Sequence, residues 1–456
     1  MFRKPGVVVQ MTRIVAVRGA LPPNRHSQAD ITDAFARACL PEGSSRLLLD
    51  RLHASARVES RHLALPLERY AKLDGFGAAN AAFVETAMEL GVEAVSGALQ
   101  DAGVAPEDVD MIIFTSVTGL AAPSVDARIA GRLGLRPDVK RTPIFGLGCV
   151  AGAAGIGRLH DYLHGWPDQL AVLLSVELCS LTLQRGDASI ANMVASALFG
   201  DGATAVVACG DEWRPRRAGV FYGPPSAPVS SPGNGTDAAG VPGQDEPSGA
   251  AGTGTGAGTG AVTAATTRPC GPAGSSPASG APGTPGPSGP AGTSPASGTS
   301  RLSAAAAASP APGPQVVASR SHLYPGSEHV MGWDVGDSGF RVVLDASVPE
   351  VVRTYLADDV RDFLADHGLT GADVTAWVCH PGGPKVLEAV QETLELPEGA
   401  LDLTWRSLAT IGNLSSSSVL HVLRDTLALR PPPPGTPGLL LAMGPGFCSE
   451  LVLLRW

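Results

Sequence analysis

Three residues in this 456-residue chain have the types and settings that nucleophilic acyl chemistry uses: Cys149, His380 and Asn413. Cys149 follows Gly146-Leu147-Gly148 and leads into the Ala/Gly-rich run 150–157. Glycines before it permit a sharp strand-to-helix turn, and the small side chains after it make a thin helix that fits a crowded centre. A thiol at a helix N-terminus feels the positive end of the macrodipole, and a nearby imidazole can hold its proton. Together these activate a nucleophile without a metal. His380 precedes Pro381-Gly382-Gly383, and Asn413 stands between Gly412 and Leu414. Each residue also has an ordinary structural reading: a small buried thiol, a loop histidine satisfied by backbone, and a helix-capping asparagine.

The elements that must position them alternate. Short apolar runs bounded by turn signals predict strands over 109–116, 171–176, 204–209, 340–344, 374–379, 439–443 and 450–455. Amphipathic stretches predict helices over 81–102, 125–133, 150–163, 351–367, 385–394 and 416–427. Such alternation indicates an α/β protein. The order also repeats. Gly103-Val104 and Asp108-Val109 before a strand recur as Gly368-Leu369 and Asp373-Val374, and Gly148-Cys149 before a helix recurs as Gly412-Asn413. An internal duplication accounts for both recurrences, and a chance match of a few residues is the alternative. A duplication would place Cys149 and Asn413 at equivalent helix N-termini on a shared cleft, with His380 at a strand end facing it.

Composition sets the boundaries. Of 56 glycines and 39 prolines, 20 and 17 fall within 223–315, a block whose only large aliphatics are Val229, Val241, Val262 and Leu302. It has too little apolar surface to offset the entropy of ordering, so disorder is expected there. Residues 1–222 then form an N-terminal half that carries the first strand of the second half near its end, and 316–456 form the C-terminal half. With 33 basic and 43 acidic residues and a net charge of −10, no basic patch suits nucleic acid. No apolar run approaches the ~18–20 residues of a membrane span, and no secretory leader is evident, so a cytoplasmic protein is expected. Seven widely spaced cysteines without a C-x-x-C suggest neither a disulfide framework nor a metal site.

Five motifs in order, Gly146-Leu147-Gly148-Cys149, Leu198-Phe199-Gly200-Asp201-Gly202, His380-Pro381-Gly382-Gly383, Gly412-Asn413-Leu414-Ser415-Ser416 and Gly444-Pro445-Gly446-Phe447, resemble the type III polyketide synthases, the chalcone-synthase-like enzymes. The resemblance covers the chain outside the insertion. It implies the thiolase fold, two duplicated α/β halves in a layered αβαβα arrangement, and a homodimer. It also implies Cys149 as the acyl-accepting nucleophile, His380 and Asn413 as donors to the thioester oxygen, and Phe199 as an aromatic gatekeeper. Gly444, Pro445 and Gly446 would shape the reaction cavity. Such enzymes use acyl-CoA with malonyl-CoA or methylmalonyl-CoA and need no separate cofactor. Decarboxylation itself generates the carbanion, and donors at the thioester oxygen stabilise the resulting enolate.

Within the family, the segments around Thr118, Ala122 and Cys179 resemble the bacterial alkylresorcinol and alkylpyrone synthases. There, small side chains line a tunnel for an aliphatic starter, although ordinary core packing explains small residues equally well. Val342 aligns with the second gatekeeper phenylalanine of the plant enzymes, with Phe340 two residues away. Arg51 fits a phosphate-gripping position for CoA, with Arg57 and Arg61 as neighbours. The resulting expectation is a synthase that extends a long-chain acyl-CoA and closes it to an alkylresorcinol or alkylpyrone. A β-ketoacyl-carrier-protein synthase, a papain-like protease and a non-enzymatic scaffold displaying the insertion are the rivals. The Gly-Pro-Gly-Phe and Leu-Phe-Gly-Asp-Gly runs disfavour the first, and the absent early-cysteine signature disfavours the second.

Overall fold

The computed structural model describes residues 11–216 and 313–456. The predicted insertion therefore lies outside the described residues except for its last three positions. In chain order the first half contains β1 (Thr12–Ala20), β2 (Asn24–Ser27), α1 (Gln28–Cys39), α2 (Leu47–Ser55), β3 (Ser60–Leu63), α3 (Leu67–Tyr70) and α4 (Gly75–Ala102). It continues with β4 (Met111–Thr115), α5 (Val125–Leu133), β5 (Lys140–Ile144), α6 (Ala151–Gly165), β6 (Leu170–Leu178), α7 (Ile190–Leu198) and β7 (Asp201–Gly210). The second half runs β8 (Gln315–Leu323), β9 (Met331–Gly336), β10 (Gly339–Leu344), α8 (Val348–Asp366), β11 (Ala376–Cys379) and α9 (Pro384–Thr393). It ends with α10 (Asp402–Ile411), α11 (Ser416–Leu429), β12 (Pro437–Gly444) and β13 (Cys448–Arg455).

Nine strands form one bent sheet in the order β11-β12-β13-β8-β1-β7-β6-β4-β5. The order is two copies of one pattern joined back to back, β1-β7-β6-β4 matching β8-β13-β12-β11. The join is short, Thr12 with Val316 and Arg13 with Gln315. The strand Asp201–Gly210 pairs antiparallel with both β1 and β6 and so completes the first half. The first described strand of the second half is β8, which begins at Gln315.

Strand patterning explains the layers. Every residue of β6 and β7 is buried, because neither face meets solvent. Val172, Leu174 and Val176 face a cluster with Ala94, Leu99 and Ile129 of α4 and α5, whereas Ala171 and Leu173 face one with Val150, Ile156, Val419 and Leu423. In the other half Leu439 and Leu441 pack with Val352, Leu356 and Leu387 of α8 and α9, and Leu440 and Ala442 face the α6–α11 side. Helices α6 and α11 are thus the middle layer of an αβαβα stack. Their closeness needs small residues. A Cβ on Gly152 would lie 2.2 Å from the Ser416 carbonyl oxygen, and one on Gly155 2.6 Å from Leu173. Among the described residues, no helix is long and apolar enough to cross a membrane.

Candidate active site

Cys149 lies in a short 3-10 turn, Gly148–Val150, that runs directly into α6. Gly148 takes φ +52, and its missing Cβ leaves room for the Pro445 ring, which a side chain would meet at 2.5 Å. A Cβ on Gly444 would stand 3.0 Å from the Val150 nitrogen. The Gly444-Pro445-Gly446 loop between β12 and β13 therefore packs on the turn that holds the thiol. His380 directly follows β11, its N–H donating to the Leu441 carbonyl of β12 at 3.0 Å. Asn413 sits between α10 and α11, paired by backbone to the segment around Phe199. Its N–H donates to the Leu198 carbonyl at 2.8 Å, and Gly200 N–H donates to the Asn413 carbonyl at 2.9 Å. Gly412 makes this approach possible, since a Cβ there would lie 2.7 Å from the Leu198 oxygen.

Cys149, His380 and Asn413 line one cavity of about 50 Å³, together with Phe199, Trp333, Val342, Ser415 and Pro445. The structure thus brings the three residues together, with Phe199, expected as a gatekeeper, and the loop proline. Asn413 Oδ1 accepts from the Ser415 N–H at 2.8 Å, which identifies the amide oxygen and leaves Nδ2 as the donor. Nδ2 reaches only the Gly382 carbonyl, at 3.5 Å. Among the described residues, neither ring nitrogen of His380 has a hydrogen-bond partner. Two donors in one buried cavity with little else to bond suit an oxyanion.

Neither Cys149 nor His380 ionises easily alone. Burial pushes the thiol up to about 12, partly offset by the Ser415 hydroxyl, whose Oγ is 3.8 Å from Sγ. Burial pushes the imidazole down to about 3. The expected lowering of the thiol by the helix end is therefore outweighed in the resting cavity. A thiol proton moved to His380 would leave thiolate and imidazolium together, each compensating the other.

The residues expected to line an acyl tunnel do not share a channel. Cys179 lines a separate cavity of about 430 Å³. Thr118 lines a third, of about 170 Å³, with Phe76 and Phe340. Ala122 is exposed on the loop between β4 and α5. Val342 faces both the small cavity and the 430 Å³ one, as do Phe199 and Trp333, so these three side chains form the partition. Phe340 points elsewhere, edge-on to Phe76 at 5.6 Å. Arg51 is exposed on α2 and lines neither of these cavities. Arg57 is paired with Glu388 at 2.8 Å. Arg61, read as a neighbour in phosphate binding, is 1% exposed and bonds inward to the Ser196 and Phe199 carbonyls at 2.6 and 2.7 Å. A guanidinium spent on buried carbonyls supports the gatekeeper segment instead.

Two residues were missed. Trp333, on β9, carries no motif. Glu177 is fully buried at the end of β6, accepting from Val117 N–H at 3.1 Å, Thr118 Oγ1 at 2.9 Å and Ser416 Oγ at 2.5 Å. Burial pushes its carboxyl up to about 7, and its charge raises the Cys149 thiol. A lone carboxylate inside an apolar strand is the signal that marks it.

Comparison with known proteins agrees with this geometry. Residues 7–212 match the family described as chalcone and stilbene synthases, N-terminal domain, and residues 315–456 match the C-terminal domain. A 1,3,6,8-tetrahydroxynaphthalene synthase of Streptomyces peucetius subsp. caesius is 49% identical over 450 residues, covering 99% of this chain and 94% of its own. An alpha-pyrone synthesis polyketide synthase of Mycobacterium tuberculosis is 24% identical over 437 residues, covering 94% of this chain and 86% of its own. The crystal structure of the 1,3,6,8-tetrahydroxynaphthalene synthase of Streptomyces coelicolor A3(2) superimposes with a TM-score of 0.71 at 23% identity, covering 97% of this chain and 99% of that one. With both halves matched and Cys, His and Asn gathered in one cavity, the chain belongs to the chalcone and stilbene synthase family and is a type III polyketide synthase with the thiolase fold.

Proposed function

We propose that this synthase condenses malonyl-CoA alone and closes the chain to a polyhydroxylated aromatic ring system. The single observation that carries the reading is the partition of Phe199, Trp333 and Val342, which leaves about 50 Å³ beside Cys149. So small a space beside the thiol fits a two-carbon starter better than a long aliphatic one. The relative at 49% identity supports it: a naphthalene has ten carbons, which five malonyl units supply after each loses carbon dioxide. Cys149 takes the first acyl group from its thioester, the C–S bond to CoA breaking as the new one forms. His380 and Asn413 Nδ2 then donate to the oxygen of the enolate left by decarboxylation, and its carbanion attacks the acyl-Cys149 carbonyl, returning the thiolate. CoA thioesters are the only co-reactants this sequence needs.

The second reading is a long-chain acyl-CoA starter giving an alkylresorcinol or alkylpyrone. The 430 Å³ cavity beyond the partition favours it, with Ile31, Phe35, Leu63 and Leu67 in its wall beside Cys179. Both readings take the chain as a cytoplasmic homodimer. Support for the dimer is the bare sheet edge β5, whose first four residues are exposed, next to Phe145 at 50% and Leu120 at 43% exposure. Mass spectrometry after incubation with malonyl-CoA alone, and with acyl-CoA starters of six to eighteen carbons in competition, separates the readings. A ten-carbon aromatic product from malonyl-CoA alone is expected. Product formation only when a fatty acyl-CoA is present would overturn the first reading.

A further inference from the structure

The larger cavity carries a second nucleophile arrangement that the Cys149 centre does not use. Ser196, in the last turn of α7, stands in its wall, and Oγ lies 3.0 Å from Nε2 of His53. His53, on α2, is 2% exposed, and its Nδ1 is 2.8 Å from Oγ1 of Thr32 on α1. The Thr32 hydroxyl donates to the Gln28 carbonyl at 2.7 Å. With the Thr32 proton given to Gln28, the tautomer that carries its proton at Nδ1 donates it to Thr32 and presents Nε2 as an acceptor to Ser196. The serine hydroxyl also reaches the Met193 carbonyl at 2.8 Å, its other acceptor. Nucleophile at the wall, base behind it and an orienting group behind the base is the arrangement of an activated serine.

A buried donor completes it. Arg61 lines the same cavity; its two terminal nitrogens bond the Ser196 and Phe199 carbonyls and Gln28 Oε1, but its Nε–H has no acceptor among the described residues. A buried N–H without a partner is costly, and an oxygen brought by a ligand would satisfy it. Burial first and the Arg61 charge second push the His53 imidazole down to about 4, so it rests neutral at pH 7 and is a weaker base than an ordinary histidine.

We propose that Ser196, with His53 as base, Thr32 as positioning residue and Arg61 as oxyanion donor, is a second acyl site that hydrolyses esters and thioesters of aliphatic acids lodged against Ile31, Phe35, Leu63 and Leu67. Ser196 Oγ attacks the carbonyl carbon and its proton passes to His53 Nε2. The bond to the alcohol or thiol breaks, and that leaving group takes the proton from His53. Water, deprotonated at the same nitrogen, then releases the acid and restores the serine. The site does not depend on which polyketide Cys149 makes.

The test uses the full chain in a Cys149→Ala background, so that the thiol contributes nothing. A fluorophosphonate probe should modify Ser196, located by peptide mass mapping, and p-nitrophenyl octanoate should be hydrolysed. Adding Ser196→Ala should remove the adduct and lower hydrolysis at least tenfold at an unchanged melting temperature. Adding His53→Gln should slow labelling at least tenfold, and Thr32→Val, which keeps the imidazole but removes its orienting oxygen, should slow it less. Absence of an adduct at Ser196, or ester hydrolysis indifferent to Ser196→Ala, would overturn the proposal.

Discussion

The N-terminal ends of α6 and α11 occupy equivalent places in the two halves, yet one carries the Cys149 thiol and the other the Asn413 amide. Both helices run back to back in the middle layer, where Gly152 lets them touch. Ahead of α6, Gly148 adopts φ +52 and the thiol follows it in a tight turn. Ahead of α11, Ser415 adopts φ +48 without being glycine, a conformation that costs about 1–3 kcal/mol and persists only where its surroundings hold it. Here they do: Ser415 N–H fixes the Asn413 amide, and its hydroxyl lies on Cys149 Sγ. Duplication supplied two helix ends facing one cavity, and the chemistry came from making them unlike.

The comparison breaks most completely at Cys149. Replacing it by Ala should abolish both the polyketide-loaded enzyme and the polyketide product, because no other thiol among the described residues lines the small cavity with His380 and Asn413 except Cys379, which burial also pushes up to about 12. Next come the two donors. Asn413→Ala should lower kcat by roughly a hundred- to a thousandfold, about 3–4 kcal/mol, with the rate of Cys149 alkylation by iodoacetamide unchanged. His380→Gln should lose as much condensation and also slow alkylation. Without its partner the thiol keeps the high value that burial gives it, about 12, so the thiolate fraction at pH 7 falls and the alkylation profile moves to higher pH.

Smaller effects test the scaffold. Gly152→Ala forces a methyl to 2.2 Å from the Ser416 carbonyl and should cost about 1–3 kcal/mol, read as a lower melting temperature. Gly165→Ala, at the far end of the same helix with nothing within 4 Å, should change the melting temperature little. Trp333→Ala removes part of the partition between the cavities. It should leave Cys149 acylation intact and shift the products towards longer chains, a change in distribution that mass spectrometry reads directly.

Much of this was legible in the sequence because it lies in residues with strong local demands. The Ala/Gly run after Cys149, the Leu-Phe-Gly-Asp-Gly segment and Gly412-Asn413 are written where backbones approach too closely for side chains, and such constraints show as composition. The long helices α4 and α8 and the largely apolar strands β6 and β12 announced themselves for the same reason. Strand β5, Lys-Arg-Thr-Pro-Ile, did not: an exposed edge strand has no apolar face to alternate, and its proline is tolerated only at an edge. Strand β1 carries Arg13 and Arg18 among its apolar residues and was overlooked. Arg61 misled because nothing local distinguishes an exposed phosphate-binding arginine from one buried on carbonyls 135 and 138 residues away. Thr118, Ala122 and Cys179 are equally silent, since they are small wherever they point.

The central claim is that Cys149 carries the growing chain in the cavity it shares with His380 and Asn413. Peptide mass mapping of the intact protein quenched in acid during turnover with CoA thioesters tests it most directly. The account expects extended polyketide chains to be confined to the peptide containing Cys149, present in wild type and accumulating when Asn413→Ala slows extension. An extended polyketide chain on another residue during turnover, or polyketide product from the Cys149→Ala protein, would contradict it.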